Sequence, residues 1–232
     1  MQRGEIVRMS RRRTSLAKAV DLITFPLRAV TLFHQDRWGL RCLASERFDY
    51  VSREVQGYCL DVGCGYHNRF VTEWLEGNGR GIDVFQYDGL TREQIVDDMS
   101  RFPFDDATFD SVTFIANLNH VPLWMRDSEL TEAHRCLKPG GNVIVTMGNP
   151  WAEIAVHKVV EFYDRFFAAH VDMDGERGMG DGEAYYLLDS EIISRLHNAG
   201  FVDLSKKYFW TQYCLNHLWI GRKPKRADRA DR

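Results

Sequence analysis

The stretch that decides the fold is Cys59-Leu60-Asp61-Val62-Gly63-Cys64-Gly65-Tyr66-His67. Its first residues are apolar except for one acid, which is typical of a buried parallel strand. Two glycines follow, and a glycine lets the backbone turn tightly and approach a ligand closely because it has no Cβ. A strand, a glycine turn and a helix together form the cradle that holds nucleotides in doubly wound sheets. The stretch therefore predicts a nucleotide-type site.

Strands and helices alternate after this stretch, which predicts an α/β, Rossmann-like, doubly wound and mostly parallel sheet. The expected strands are Tyr58–Val62, Gly81–Val84, Ile95–Asp97, Phe109–Ile115 and Asn142–Met147, followed by an antiparallel pair, Phe201–Trp210 and Cys214–Gly221. The expected helices are Arg69–Glu76, Asp127–Leu137 with Asp127 as its N-cap, and Ser190–Ala199. Lys138-Pro139-Gly140-Gly141 is expected to separate a helix from the strand that follows it.

Other segments lie outside this alternation. Apolar spacing predicts N-terminal helices at Thr14–Leu32 and Gly39–Glu54, the first of them interrupted or kinked at Pro26. Residues 150–189 are expected to form an insert, with a helix over Trp151–Ala169 before a Gly- and Asp-rich loop. Residues 1–13 and 222–232 are expected to be disordered basic tails.

Charge is distributed unevenly along the chain. The net charge is −3, but residues 1–28 carry about +5 (7 − 2) and residues 222–232 about +4 (6 − 2). The intervening body, residues 29–221, therefore carries about −12 (−3 − 5 − 4). An acidic body argues against DNA or RNA as the main substrate, because those ligands need a broad basic face.

Cysteine usage and hydropathy indicate the cell compartment. The five cysteines are dispersed with no C-x-x-C pair, which favours reduced thiols and argues against a zinc site or a disulfide framework. No apolar run approaches the length of a membrane-spanning helix, and no cleavable leader is recognised. We therefore expect a cytoplasmic protein with one main domain. His170, Asp172 and Asp174 are interpreted as a polar turn in the insert, so no metal site is predicted.

Three further signals accompany the glycine turn at fixed spacing. Asp83 ends the second strand twenty positions after Gly63, where an acid can accept hydrogen bonds from both ribose hydroxyls. Asp98-Met99 follows the third strand, where the carboxylate can accept from an adenine amine and the next N–H can donate to a ring nitrogen. The acid Asp61 beside the turn suits a ligand that is positively charged there, whereas a pyrophosphate prefers backbone N–H groups. The last signal is Leu137-Lys138-Pro139-Gly140-Gly141 before the fifth strand.

As a set, these signals resemble the class I S-adenosylmethionine-dependent methyltransferases. That group includes the ubiquinone and menaquinone C-methyltransferases and many small-molecule methyltransferases. The resemblance covers about residues 57–221 and is carried by LDVGCG from residue 60, PF-x-D-x-x-FD from residue 103 and RxLKPGG from residue 135. It implies a seven-stranded sheet with an antiparallel C-terminal hairpin, S-adenosylmethionine as cofactor, and methyl transfer to a small-molecule or lipid-like acceptor.

The resemblance also assigns residues to the cofactor site. Asp61 and the turn Gly63–Gly65 would line the methionine part of S-adenosylmethionine. Asp83 would hold its ribose, and Asp98 with Met99 its adenine. The cofactor-binding set is thus Asp61, Gly63, Cys64, Gly65, Asp83, Asp98, Met99 and Ile115.

Two histidines leave alternatives open. The family usually has a glycine at the position of His67, and the imidazole there would either contact the cofactor carboxylate or point to solvent. His120 follows the fourth strand at the ligand-binding edge of the sheet, where it is the candidate general base. The alternative for His120 is a histidine at a helix start that bonds to neighbouring backbone.

The accessory segments and the class of protein also leave alternatives open. Residues 14–56 are interpreted as a helical lid over the cofactor, with contact between the basic N-terminus and a membrane surface as the alternative. An oxidoreductase that binds NAD and a non-catalytic cofactor-binding scaffold remain the competing hypotheses for the whole chain. The absence of G-x-G-x-x-G argues against NAD.

Overall fold

The computed structural model describes residues 13–32, 36–149, 181–184 and 186–225. These residues form one six-stranded sheet in the order β2-β1-β3-β4-β6-β5. The strands are β1 Cys59–Val62, β2 Gly79–Ile82, β3 Phe109–Phe114, β4 Leu137–Gly148, β5 Val202–Tyr208 and β6 Asn216–Arg222. The α-helices are α1 Ser15–Thr31, α2 Leu43–Val51, α3 Arg126–Cys136 and α4 Asp189–Asn198.

The predicted fold class is confirmed. Strands β2, β1, β3 and β4 run parallel, while β6 pairs antiparallel with both β4 and β5. The predicted number of seven strands is wrong for the described residues. The expected third strand, Ile95–Asp97, is reduced to one isolated bridge between Asp83 and Ile95. Ile95 closes the short 3₁₀ turn Arg92–Gln94, so the chain bends away before a second pair can form.

Three local predictions need correction. The helix expected at Arg69–Glu76 is a single π-helical segment, Phe70–Trp74. Asp127 is not an N-cap, because α3 begins one residue before it and Met125 occupies the cap position. The Lys138–Gly141 segment belongs to β4, where Gly140 and Gly141 exchange backbone hydrogen bonds with Lys223.

Apolar side chains fill both faces of the sheet. One cluster packs the sheet against α3 and α4, and the other packs it against α2 and Phe70–Trp74. Both faces of a parallel sheet are then buried, as the near-continuous apolar sequences of its strands predict. The expected helix at Trp151–Ala169 and most of the insert lie outside the described residues. No helix among the described residues is long and apolar enough to span a bilayer.

The N-terminal helix lies near the ligand-binding edge of the sheet. Since β5 runs parallel to β4, the β5–β6 connection lies at the carboxyl edge, where the parallel strands end. Helix α1 packs against the turn Trp210–Gln212 in that connection, and the Phe25 and Tyr213 rings are 5.0 Å apart. Thr14 caps the helix by accepting a hydrogen bond from the Ala17 N–H. Pro26 lies inside the continuous helix.

Candidate functional site

The candidate site lies where β1, β2 and β3 end. The chain leaves β1 towards β2 and leaves β3 towards β4, on opposite sides, so a topological switch point lies between β1 and β3. The two connections meet there. An ideal Cβ on Gly63 would lie 2.3 Å from the Asn117 side chain, and the φ of Gly63 is +74°. Only glycine therefore allows the turn and Asn117 to approach so closely.

The glycine turn is fixed by β2. The N–H groups of Gly63 and Cys64 both donate to the Ile82 carbonyl, at 2.8 and 3.1 Å. The N–H of Gly65 donates to the Asp83 carboxylate at 2.9 Å. The turn and the acid at the end of β2 are therefore one hydrogen-bonded unit. The spacing between Gly63 and Asp83 predicted this proximity.

Asp83 is buried, and its two carboxylate oxygens each accept one backbone hydrogen bond. One comes from Gly65 at 2.9 Å and the other from Phe85 at 3.0 Å. These two bonds hold the carboxylate in place. This arrangement suits the ribose role that the sequence predicts for Asp83.

Asp61 is buried at the end of β1. Its carboxyl accepts a hydrogen bond from the Thr113 hydroxyl at 2.6 Å. Burial raises the pKa of Asp61 to about 8, the charge of Asp83 acts in the same direction, and the Thr113 hydrogen bond opposes them. Near neutral pH the carboxyl is therefore mostly protonated in the free protein. A cationic ligand would favour its ionised form.

The remaining predicted cofactor residues differ in exposure. The Asp98 side chain is exposed and accepts a hydrogen bond from the Ser100 N–H at 2.9 Å, which lowers the pKa of Asp98. The Met99 and Cys64 side chains are buried, so they offer mainly backbone groups to a ligand. Ile115 is half-buried against the cluster on the α2 side of the sheet.

His120 lies beside a carboxylate that the sequence did not single out. Its Nδ1 is 3.6 Å from Glu183 Oε2, and its backbone N–H donates to the Asn117 carbonyl. Ala184 donates to the Asn119 carbonyl, so the end of the insert is joined to the segment after β3. A carboxylate beside an imidazole can orient its ring. Glu183 lies 63 positions from His120, so only the fold reveals this pair.

His67 has a backbone conformation that explains the usual glycine. Its φ is +56° and its ψ is 10°, in the left-handed region that favours glycine. Its N–H donates to the Asp88 carbonyl at 2.8 Å, and its ring lies against Gly89. The side chain is exposed.

We expect His67→Gly to leave the fold intact and to raise the free energy of unfolding by up to about 1 kcal/mol. Left-handed backbone costs a residue with a Cβ about 1–2 kcal/mol, and the greater freedom of glycine in the unfolded chain offsets part of that gain. Urea unfolding would measure the change. His67→Ala is the control, since it removes the imidazole and keeps the Cβ. Equal stability of the two variants would contradict the role of backbone strain.

Two aromatic side chains and one buried acid were missed at the sequence level. The ring of Tyr87 lies 4.6 Å from that of Tyr66 and 6.1 Å from that of Phe85. Tyr87 and Phe85 follow β2 closely, a position that could have identified them. Glu129 of α3 is buried, and its charge interacts with that of Asp83. Nothing about the position of Glu129 in the sequence of the helix could have identified it. No metal-binding group of three or more His, Cys, Asp or Glu side chains occurs in the described part of the chain.

Residues 60–145 match a family model described as a methyltransferase domain. A ubiquinone/menaquinone biosynthesis C-methyltransferase of Desulfotalea psychrophila is 33% identical over 121 residues, which are 48% of this chain and 47% of the relative. The chain thus spans about half the length of the curated relatives it matches.

Solved structures share the fold. A S-adenosylmethionine-dependent methyltransferase of Methanosarcina mazei has a TM-score of 0.51 at 22% identity, covering 76% of this chain and 97% of its own. The 1,6-didemethyltoxoflavin-N1-methyltransferase of Burkholderia thailandensis was solved with its substrate and S-adenosylhomocysteine. It has a TM-score of 0.50 at 16% identity, covering 77% of this chain and 79% of its own.

Proposed function

Because residues 60–145 are a methyltransferase domain with the class I fold, we propose that the chain transfers a methyl group from S-adenosylmethionine to a small-molecule acceptor. The observation that carries this proposal is the unit formed by the glycine turn and Asp83 at the switch point. Ubiquinone/menaquinone C-methyltransferases are among the relatives, which favours an aromatic or lipid-like acceptor.

The polar groups of the site fit S-adenosylmethionine better than a dinucleotide. The Gly65 N–H is bound to the Asp83 carboxylate, so it does not face a pyrophosphate. Asp61 and Asp83 are both buried acids at this edge, a poor environment for phosphates and a suitable one for hydroxyls and a cation. The NAD-binding alternative and the scaffold alternative gain no support from this arrangement.

Each part of the site has a separate task. The cofactor supplies a methyl group on a sulfonium, which is already a good leaving group. Asp83 and the Gly63–Gly65 turn would hold the cofactor, and the Tyr66–Tyr87 pair would exclude water. Orientation of the reacting groups can contribute about 7–11 kcal/mol to such a reaction. The chain therefore needs a base only where the acceptor must lose a proton.

Calorimetry tests the assignment of the cofactor. We expect S-adenosylmethionine and S-adenosylhomocysteine to bind with micromolar affinity and NADH to show no binding. Tight NADH binding without S-adenosylmethionine binding would overturn the proposal. S-adenosylhomocysteine release in the presence of phenolic or quinol acceptors would then test transfer itself.

His120 is the proposed general base, with Glu183 as its orienting partner. For a hydroxyl acceptor, His120→Ala should lower kcat by about 10²–10⁴-fold. S-adenosylhomocysteine release measured across pH checks this. His120→Gln is the matched control for shape. A variant with unchanged rate across pH would remove His120 from the mechanism.

The exposed face of α1 supports peripheral contact with an anionic bilayer, and with it a lipid-like acceptor. Leu16, Val20, Ile23 and Leu27 recur at helical spacing and are 76%, 38%, 74% and 52% exposed. Residues 1–13, which precede this helix in the sequence, carry five arginines and one glutamate, a charge that an acidic surface would complement. Trp210 and Tyr213, next to α1, are also exposed, as aromatic residues at a bilayer interface often are. We therefore propose that the protein works in the cytoplasm at a membrane surface, with α1 as part of a lid.

Vesicle sedimentation tests the membrane contact. The protein should bind vesicles that contain phosphatidylglycerol and should not bind pure phosphatidylcholine. Leu16→Glu with Ile23→Glu should weaken binding by at least about tenfold, because two apolar contacts are lost and negative charge is added. Val202→Glu is the control, because it adds the same charge at a partly exposed apolar residue outside α1. If the double variant instead dissociated a dimer and left vesicle binding unchanged, the face would belong to a second copy of the chain.

A further inference from the structure

Arg126 is a buried cation in an unfavourable place. It is the first residue of α3, and its side chain is only 3% exposed. The first turn of a helix lies at the positive end of the helix dipole, which favours an acid there and disfavours a cation. Burial of a guanidinium also has a desolvation cost, which is offset only when the group is well hydrogen-bonded. The contacts of this guanidinium must therefore account for its position.

The Arg126 guanidinium donates to three backbone carbonyls. Its Nε donates to the Val121 carbonyl at 2.8 Å, and its Nη2 donates to the Asn119 and Gly182 carbonyls, both at 3.2 Å. Val121 and Asn119 lie in the segment that follows β3, whereas Gly182 lies at the end of the insert. One nitrogen atom thus joins two segments that are distant in the sequence.

The two carbonyls that share Nη2 lie beside the proposed base and its partner. Asn119 immediately precedes His120, and Gly182 immediately precedes Glu183. His120 Nδ1 is 3.6 Å from Glu183 Oε2, and the two side chains are 15% and 5% exposed. The Arg126 guanidinium therefore holds the backbone one residue before each member of the pair.

We propose that Arg126 is a positioning residue that holds the imidazole of His120 against the Glu183 carboxylate. A separation of 3.6 Å is longer than a hydrogen bond, and catalytic contacts of this kind often shorten when the substrate binds. A contact through Nδ1 keeps the proton on that nitrogen, so Nε2 keeps the lone pair that takes a proton from the methyl acceptor. This inference rests on the proposed function, because it takes His120 to be the base for a hydroxyl acceptor.

Arg126→Met removes the guanidinium and keeps an unbranched apolar stem. The Asn119 and Gly182 carbonyls each keep one backbone hydrogen bond, at 2.9 Å. Glu191, which also contacts the guanidinium, keeps its ion pair with Arg195. No charged partner is left alone, so the variant should fold, with the two segments joined less rigidly.

Kinetics test the positioning role. With phenolic or quinol acceptors, Arg126→Met should lower kcat by at least about tenfold, since misplacement of a catalytic group by about 1 Å can cost about 100-fold. Its affinity for S-adenosylhomocysteine should stay within about threefold of wild type, because the cofactor site is unchanged. Arg126→Lys keeps the charge but not the fork of donors, so its kcat should be intermediate. It also replaces the methionine variant in every comparison if that variant does not fold.

Lys223→Met is the matched control. Lys223 also donates to backbone carbonyls, those of His134 and Leu137, both at 2.7 Å, near the other end of α3. The substitution therefore removes a cation with the same kind of contacts, far along the helix from His120. Its kcat should stay within about threefold of wild type.

A double-mutant cycle separates positioning from a general structural effect. In a His120→Gln background the base is already absent, so Arg126→Met should lower kcat by less than about threefold further. An Arg126 with a structural role alone would lower kcat by the same factor in both backgrounds.

Nitrogen-15 NMR of the imidazole gives a readout that needs no methyl acceptor. The signals of His120 are identified by their loss in His120→Gln. In the wild type the neutral ring should occur as one tautomer, with its proton on Nδ1. Arg126→Met should give a mixture of both tautomers, whereas Lys223→Met should keep the wild-type signals.

The results separate this inference from the proposed function. If the wild type neither binds S-adenosylmethionine nor transfers its methyl group, the proposed function fails, and the tautomer comparison still decides whether Arg126 positions the imidazole. If the wild type is active and Arg126→Met has the wild-type rate and tautomer, the inference is overturned while the proposed function stands. Equal losses of kcat in the wild-type and His120→Gln backgrounds would also overturn it.

Discussion

Asp83→Ala should weaken S-adenosylmethionine binding by at least about 100-fold. A hydrogen bond to a charged acceptor contributes about 1.5–3 kcal/mol, and a ribose diol would make two of them to this carboxylate. The substitution also leaves the Gly65 and Phe85 N–H groups without their present acceptor. The glycine turn should therefore loosen, and the free energy of unfolding should fall by about 1–3 kcal/mol.

Calorimetry below the melting temperature of the variant measures the affinity, and a thermal scan measures the stability. Asp83→Asn keeps one carbonyl acceptor, so its affinity should lie between that of wild type and that of the alanine variant. Asp97→Ala is the control, because Asp97 is exposed and pairs with the exposed Arg92. Full affinity in folded Asp83→Ala would exclude Asp83 from the cofactor site.

Arg28→Ala should lower the free energy of unfolding by about 3–5 kcal/mol, the usual cost of stranding one partner of a buried ion pair. Arg28 is completely buried in α1 and donates to the Asp21 carbonyl, the Arg41 carbonyl and the Glu46 carboxylate. Gln212, in the turn beside α1, donates to the same Glu46 oxygen at 2.8 Å. Arg28 thus joins α1, α2 and the β5–β6 connection.

The loss should be greatest at the N-terminal helices. Hydrogen exchange should therefore show faster exchange in Ser15–Thr31 than in the central strands. Replacing both partners, with Arg28→Met and Glu46→Leu, should recover most of the stability, because no buried charge remains alone. Arg92→Ala, which removes an exposed ion pair, should cost less than about 1 kcal/mol. A similar loss in Arg92→Ala and Arg28→Ala would contradict the interpretation.

The raised pKa of Asp61 also has a consequence for stability. The unfolded chain releases the Asp61 proton near the ordinary pKa of aspartate, whereas the folded protein keeps it until about pH 8. Folding stability should therefore decrease as pH rises between these two values, and it should decrease less once a cationic ligand is bound.

The sequence by itself determined the doubly wound sheet, the glycine turn and its relation to Asp83. Local rules suffice there: buried strands are continuously apolar, and parallel strands must end at one edge, so Gly63 and Asp83 meet whatever packs around them. The antiparallel β5–β6 pair was expected from the family resemblance, and not from apolar continuity, since β5 is mostly exposed. The cofactor roles of Asp98 and Met99 rest on the resemblance alone and stay predictions.

Only the tertiary structure decided the contacts between distant segments. The pairing of His120 with Glu183 and the buried Arg28–Glu46–Gln212 contacts join residues with no fixed spacing. The expected third strand at Ile95–Asp97 does not form. Ile95 makes one isolated bridge with Asp83, and the 3₁₀ turn Arg92–Gln94 ends at the same residue. Burial, too, depends on the whole fold, and burial is what keeps Asp61 and Glu129 protonated near neutral pH.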